Sequence, residues 1–265
     1  MRRFLSFRRM MSAMLGLILS FWLIVPCVQA ETKTLPRDTK LHPQGWAVGD
    51  LLEFKKGTIL TTNDLGEVIS GTLKDDTFLQ PCGWERVIND YHYISAYANI
   101  DPFFSRFHRS LVERTYNIAI PGYGHLRYKG GAPVTFSEQG EVISGTIAEP
   151  ATVRLVAGKY GFLTFKENTV LSFYDSGVIR SGVLDEDTNL RPVGWKANLF
   201  ASDSAGFVKF KAKQAIEFNE NGEVTTGTLK EMANWRSTEG EAVEFPANTV
   251  VHFNDQGAVM EKAAS

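Results

Sequence analysis

The residue types best suited to catalysis or metal binding are few in this chain: five histidines and two cysteines. No histidine lies three or four residues from another, and the two cysteines stand far apart, so the spacing of a local zinc site is missing. Neither a Gly-x-Ser-x-Gly turn nor a phosphate-binding loop occurs. The sequence therefore predicts no metal site, no cofactor and no catalytic residue of a recognisable class.

Cys82 occupies the seventh position of a nine-residue motif in which two sister copies carry Gln44 and Val193. A position that accepts three unrelated side chains is typical of a structural site. We therefore expect a partly buried free thiol rather than a nucleophile, which would need a histidine partner. An envelope hydrolase stays open as a less favoured alternative, because a pair of catalytic carboxylates assembled from distant residues leaves no local pattern.

That motif, Asp-Thr-x-Leu-x-Pro-x-Gly-Trp, occurs three times and ends each time on a tryptophan. Exposed tryptophans on a sheet could stack on sugar rings, whereas a Gly-Trp at a repeat junction more often packs between units, and we favour packing. A tyrosine-rich stretch follows the second copy. The candidate binding residues are Trp46, Trp84, Trp195, Tyr91, Tyr93 and Tyr97.

A second repeat is anchored on a glycine. Five stretches align without gaps; each has an aromatic residue twelve positions before the glycine, and four have a second glycine five positions after it. The distance along the chain from Gly66 to Gly140 is twice the 37 residues that separate Gly140 from Gly177. This doubling indicates a decayed unit or an insertion of about 37 residues between the first two copies. The repeat cores lie near residues 54–73, 128–147, 165–184, 210–229 and 245–262.

Apolar and polar residues alternate with a period of two before each anchoring glycine, as in a half-buried strand. We expect the inward residues to form one continuous core and the residues between them to face water. The inward set is Phe136, Phe173, Phe218 and Phe253; the outward set is Thr135, Ser172, Glu217 and His252.

The anchoring glycine ends a turn such as Asn63-Asp64-Leu65-Gly66, which predicts a β-hairpin. In the return strand Val68 and Leu73 are an odd number of residues apart, so both reach the core only if the strand contains a bulge, which we place at Gly71. One hairpin is too small to be stable alone. The expected fold is all-β: tandem β-hairpin repeats stacked into an elongated curved antiparallel sheet, with one helical insertion.

Residues 85–127 form that insertion. Asp101 and Pro102 suit the start of a helix, and Phe103, Phe107 and Leu111 share one stripe, which predicts an amphipathic helix near residues 102–115. We expect the stripe to pack on the sheet; a lid over a binding surface is the alternative.

The first thirty residues contain four arginines, then a thirteen-residue apolar run, which is too short for a membrane span, and end on Val28-Gln29-Ala30. We interpret residues 1–30 as a signal peptide cleaved after Ala30, and residues 31–265 as a single β-repeat domain that is secreted, periplasmic or at the cell surface. Lipidation at Cys27 or an uncleaved anchor are the alternatives, and membrane contact is expected only through that uncleaved segment. Without the segment, 24 basic residues stand against 30 acidic ones, so nucleic acid is not an expected partner.

The stretch from Phe218 to Val224 and its equivalents combine an aromatic residue, an Asn-Gly turn and a second glycine, and over most of residues 54–262 they resemble bacterial MORN-type repeats. The resemblance implies a non-catalytic β-hairpin scaffold that contacts proteins or membranes and supplies no catalytic residues. We therefore expect a secreted or periplasmic non-catalytic β-repeat protein that binds an envelope protein or polysaccharide over its sheet. A cell-surface structural protein that self-associates through exposed sheet edges is the alternative.

Overall fold

The computed structural model describes residues 30–84, 125–155, 162–198 and 206–260. Within these residues the protein is all-β, with twenty-one strands, one short 3-10 helix (Trp195–Asn198) and no α-helix. None of the described segments forms a helix long and apolar enough to cross a membrane. The predicted signal segment up to residue 29, the predicted helix near 102–115, and Tyr91, Tyr93 and Tyr97 lie outside the described residues.

Eleven strands form one long antiparallel sheet, and their order across the sheet follows their order along the chain. With strands numbered along the chain, they are β1 (Glu31–Thr34), β4 (Ile59–Thr62), β5 (Val68–Thr72), β8 (Pro133–Phe136), β9 (Val142–Thr146), β12 (Val170–Phe173), β13 (Ile179–Val183), β16 (Ala215–Phe218), β17 (Val224–Thr228), β20 (Val250–Phe253) and β21 (Val259–Met260).

The other ten strands form five short hairpins, each placed in the chain just before two strands of the long sheet. They are β2 (Thr39–Leu41) with β3 (Leu52–Phe54), β6 (Thr77–Leu79) with β7 (Leu126–Tyr128), β10 (Ala151–Arg154) with β11 (Phe162–Phe165), β14 (Thr188–Leu190) with β15 (Val208–Phe210), and β18 (Ala233–Arg236) with β19 (Ala242–Phe245). Leu126 and Arg127, the last two residues of the stretch assigned to the insertion, thus belong to β7.

The core lies between the long sheet and the short hairpins. Each short hairpin ends on a buried aromatic residue, and the long sheet contributes the inward phenylalanines, which are only 1–6% exposed and join the same hydrophobic cluster. Glu217 is exposed, and the other three predicted outward residues are half-buried. The predicted alternation is confirmed, because inward and outward side chains point to opposite faces of a strand. The aromatic residues of the short hairpins are Phe54, Tyr128, Phe165, Phe210 and Phe245.

The hairpin turns also follow the prediction. Gly66 has a φ of 77°, in the left-handed region that glycine tolerates best. The Asn63 side-chain oxygen accepts hydrogen bonds from the backbone N–H groups of Leu65 and Glu67, both at 3.0 Å. Asn63 therefore closes the turn by satisfying backbone groups that a bare loop would leave to water.

The predicted bulge at Gly71 is wrong in position. Thr61 pairs with Ser70 and Thr62 with Val68, so the extra residue is Ile69, two positions before the glycine. A Cβ atom added to Gly71 would lie 2.7 Å from a ring carbon of Phe54. The glycine is needed because the aromatic ring of the short hairpin occupies the space of its missing side chain. The same contact is made by Gly145, Gly182 and Gly227.

Candidate binding surface on the outer face of the long sheet

The outer face of the long sheet carries a continuous row of side chains that contributes one residue from each strand. Consecutive members lie directly opposite one another in the strand pairing, and none is buried. The first seven are all hydroxyl residues. We call this set the hydroxyl row; it consists of Thr32, Thr61, Ser70, Thr135, Ser144, Ser172, Ser181, Glu217, Thr226, His252 and Met260.

The backbone sets the spacing of this row. In β4, the buried Leu60 and Thr62 flank Thr61, so the alternation of the strand turns Thr61 away from the core. Neighbouring strands in a sheet lie about 4.8 Å apart, so seven consecutive hydroxyls extend over about 29 Å. Because each hydroxyl sits on a hydrogen-bonded strand, the row is fixed before any ligand arrives.

A second row lies beside the first on the same face. All its members are uncharged, and most of them are aliphatic. Ile59 is 66% exposed and Val170 is 51% exposed. We call it the aliphatic row; its cross-strand pairs are Thr34–Ile59, Thr72–Pro133, Thr146–Val170, Val183–Ala215 and Thr228–Val250. Across these two rows of described residues there is one carboxylate, Glu217, and no lysine or arginine, although 22% of the chain is charged.

Two hydrogen bonds link neighbours within the hydroxyl row. The hydroxyl oxygens of Ser172 and Ser181 lie 2.6 Å apart, and the Thr226 hydroxyl lies 3.1 Å from Nδ1 of His252. A hydroxyl carries one donor and two acceptor positions, so one bond to a neighbour leaves capacity for an external partner. The hydroxyl residues of the row can therefore both donate and accept hydrogen bonds without carrying a charge.

The short hairpins present a different surface, which carries ion pairs. The motif residue Asp187 accepts a 2.7 Å hydrogen bond from the backbone N–H of Ala212, and Lys230 lies 2.7 Å away. The backbone hydrogen bond, followed by the bond to Lys230, lowers the pKa of Asp187. Other pairs in this layer are Lys74–Glu53, Lys209–Glu231 and Arg127–Asp76.

Trp46 is held by the neighbouring hairpin. Its indole N–H donates a 2.9 Å hydrogen bond to the carbonyl of Gly140, and its ring meets the ring of Phe136 edge-on at 6.3 Å. A Cβ atom added to Gly45 would lie 2.4 Å from the backbone nitrogen of Gly140. The Gly-Trp end of the motif thus packs against the turn between β8 and β9.

Trp195 has close partners as well. The guanidinium carbon of Arg191 lies 3.8 Å from the indole centroid, and a Cβ atom added to Gly206 would lie 2.7 Å from the same indole. Trp84 is half-buried, like the other two. Trp46 and Trp195 both pack against the hydrophobic core. Sugar stacking on these residues stays a prediction.

Cys82 is a buried free thiol, 4% exposed, with its sulfur 3.5 Å from the carbonyl oxygen of Asp175. Loss of hydration, with a smaller effect of Glu141, raises the pKa of Cys82 to about 12. The reactive thiolate is therefore scarce at neutral pH. In the part of the chain that the structure describes, no three His, Cys, Asp or Glu residues are grouped to hold a metal ion.

The hydroxyl row was not predicted from the sequence, although the aligned stretches contain a trace of it. The residue just before each second glycine is always a serine or threonine, and the polar slot of the preceding strand is a hydroxyl residue in the first three copies. These two positions become neighbours only through the register of the strands. The residues before the second glycines are Ser70, Ser144, Ser181 and Thr226.

Comparison with known proteins does not assign the chain to a family. No family model, curated protein or solved structure matches it. The resemblance to MORN repeats therefore stays a hypothesis.

Proposed function

We propose that this protein is a non-catalytic β-repeat binding protein, secreted or periplasmic, that holds an envelope polysaccharide or protein against the outer face of its long sheet. The observation that carries the proposal is the hydroxyl row, which crosses eleven strands beside a second uncharged row. A continuous, regularly spaced surface suits a long ligand better than a small one, which would need a concave pocket.

The regularity is best explained by tandem repeats. We propose that five copies of a two-hairpin unit stack into an elongated curved sheet. The unit has about 37 residues, the distance from Gly140 to Gly177. The equal register shifts in four hairpins and the aromatic-on-glycine contacts in the same four copies support this architecture. Stacked copies repeat each surface position at a fixed interval, as in other solenoid-like proteins.

The absence of basic residues from the two rows limits the classes of ligand that suit this surface. Nucleic acids and anionic lipid surfaces are bound chiefly through lysine and arginine. The two rows of the outer face lack both residue types, so a neutral or weakly charged envelope component suits this surface best.

The alternative, a structural protein that self-associates through its sheet edges, has less support. One edge of the described sheet is β1, a four-residue strand that carries Glu31 and Lys33. Short and charged edge strands discourage pairing with another sheet.

Co-sedimentation with isolated cell envelopes tests the proposed function. We expect the protein to sediment with the envelope fraction, and Ser144→Lys, which places a charge in the centre of the hydroxyl row, to move it to the supernatant. Asn234→Lys adds the same charge at an exposed site on the short-hairpin strand β18 and should leave sedimentation unchanged. A wild-type protein that stays in the supernatant contradicts the proposal.

A further inference from the structure

We infer, resting on the proposed function, that the ligand is an uncharged polysaccharide chain lying across the strands along the hydroxyl row, between β1 and β13. This stretch contains the seven consecutive hydroxyl residues, from Thr32 to Ser181.

Hydrogen-bonding chemistry favours a neutral sugar. Sugar hydroxyls and serine or threonine hydroxyls both donate and accept, so each can adapt to the other in either direction. Between β1 and β13 the two rows carry no charged side chain, so a charged polymer would lose hydration on them without an opposite charge in either row, which is costly. The hydroxyl row therefore selects against charge as well as for hydroxyls.

The aliphatic row supplies the second half of the match. Ile59, Pro133 and Val170 stand on every second strand of this stretch, at intervals of about 10 Å. That interval is close to the length of an extended disaccharide, so successive disaccharides could each lay an apolar C–H face on one such side chain. Burial of these exposed side chains would contribute favourable free energy.

A protein partner fits the same surface less well. Protein interfaces are enriched in aromatic residues, methionine and arginine. Between β1 and β13 the two rows contain none of these residue types.

Glu217 marks the end of the site. It lies directly opposite Ser181 and is exposed, so it places a carboxylate where the eighth hydroxyl would stand. Beyond Thr226 the row continues with His252 and Met260, which carry no hydroxyl. The uninterrupted part of the row, about 29 Å, would hold about six sugar residues.

The test measures binding of the purified protein to a panel of neutral glucan and mannan oligosaccharides of two to ten sugars, with oligogalacturonates as the acidic control. We expect at least one neutral series to bind, with affinity rising up to about six sugars and then levelling. The acidic series should bind at least roughly tenfold more weakly, a difference of about 1.4 kcal/mol.

Three variants place the site. Ser144→Lys should weaken the neutral series by at least roughly tenfold, and Asn234→Lys should not. Glu217→Ser should move the levelling point to longer chains, because it adds hydroxyls at the end of the row. Circular dichroism of each variant confirms that it is folded.

The contradicting outcomes separate the two proposals. In the first, the protein binds no neutral glycan and stops sedimenting with envelopes once the envelopes are treated with protease. That result would overturn the polysaccharide inference and leave the proposed function standing. Glycan binding that Ser144→Lys leaves unchanged overturns the location. A dimer that Ser144→Lys dissociates, or shaping of ice crystals without glycan binding, would assign the row to a second copy of the chain or to ordered water instead.

Discussion

The long sheet and the short hairpins alternate along the same chain, yet they differ in loop length and in charge. The five tight connections within the long sheet each contain five residues, such as 63–67 and 137–141. The connections within the short hairpins contain between five residues (237–241) and forty-six (80–125). Ion pairs lie among the short hairpins, whereas the two rows on the long sheet contain neither lysine nor arginine.

This difference shows how the chain accommodates long connections without disturbing the regular sheet. Leu79 still pairs with Leu126 across the longest connection, and Thr72 pairs directly with Pro133 in the long sheet. The connection formed by residues 80–125 therefore leaves the register of the long sheet intact. In many repeat proteins the variable loops carry the function. Here the candidate binding surface lies instead on the long sheet, whose tight connections all have the same length.

The largest effect is expected from uncoupling the two layers. Phe165→Ala removes a fully buried ring that packs from β11 onto Gly182 of the long sheet. We expect a loss of about 3–5 kcal/mol in the free energy of unfolding, measured by urea denaturation. Ser181→Ala, on the outer face next to Gly182, should cost less than about 1.5 kcal/mol, because it removes only the hydrogen bond to Ser172. Equal losses for the two variants would contradict the assignment of the core.

Gly145→Ala tests the same contact from the side of the long sheet. Its Cβ atom would lie 2.6 Å from a ring carbon of Tyr128, and overpacking of this kind costs about 1–3 kcal/mol. A thermal melt measures the effect. A melting temperature equal to that of the wild type would show that the Tyr128 ring does not require a glycine at position 145.

Tyr128→Phe is expected to stabilise the protein. Tyr128 is fully buried, and its hydroxyl has no hydrogen-bond partner among the described residues. An unsatisfied buried polar group costs about 1–3 kcal/mol, and phenylalanine keeps the ring without the hydroxyl. The reciprocal change, Phe165→Tyr, should destabilise. A less stable Tyr128→Phe variant would mean that the hydroxyl is bonded.

The smallest effect concerns the charged layer. The pKa of Asp187 is lower in the folded chain than its ordinary value, first because of the Ala212 N–H and then because of Lys230. Its contribution to stability is therefore present above about pH 4, the ordinary range for aspartate, and is lost as pH falls through the lower folded pKa. Urea midpoints from pH 7 to pH 2 should fall less steeply for Asp187→Asn than for the wild type. Ser181→Ala should keep the wild-type slope.

Local patterns predicted much of the fold. The period of two placed Phe173 and Phe218 in the core, and the Asn-Gly turns located the hairpins, because both depend on residues close in sequence. The bulge was misplaced because the demand on Gly71 comes from Phe54, seventeen residues earlier and in the other layer.

The candidate binding surface was harder to predict for the same reason. Ser144 meets Ser172 only through the pairing of two strands from different hairpins. The tryptophans were candidate binding residues because of their residue type. The contacts of the Trp46 side chain are with residues ninety or more positions away, so its packing could not be predicted from neighbouring residues. Register and contacts between units had to be seen before either set could be interpreted.

Methyl NMR of threonine and isoleucine, recorded while the neutral glucan or mannan oligosaccharide that binds most tightly is added, locates the binding surface directly. We expect shifts for Ile59, Thr61 and Thr135 on the outer face of the long sheet. We expect no shifts for Thr152 and Thr164, whose hydroxyls bond each other in the short hairpin of β10 and β11. Shifts confined to Thr152 and Thr164 would contradict this expectation and place the binding surface on the short hairpins.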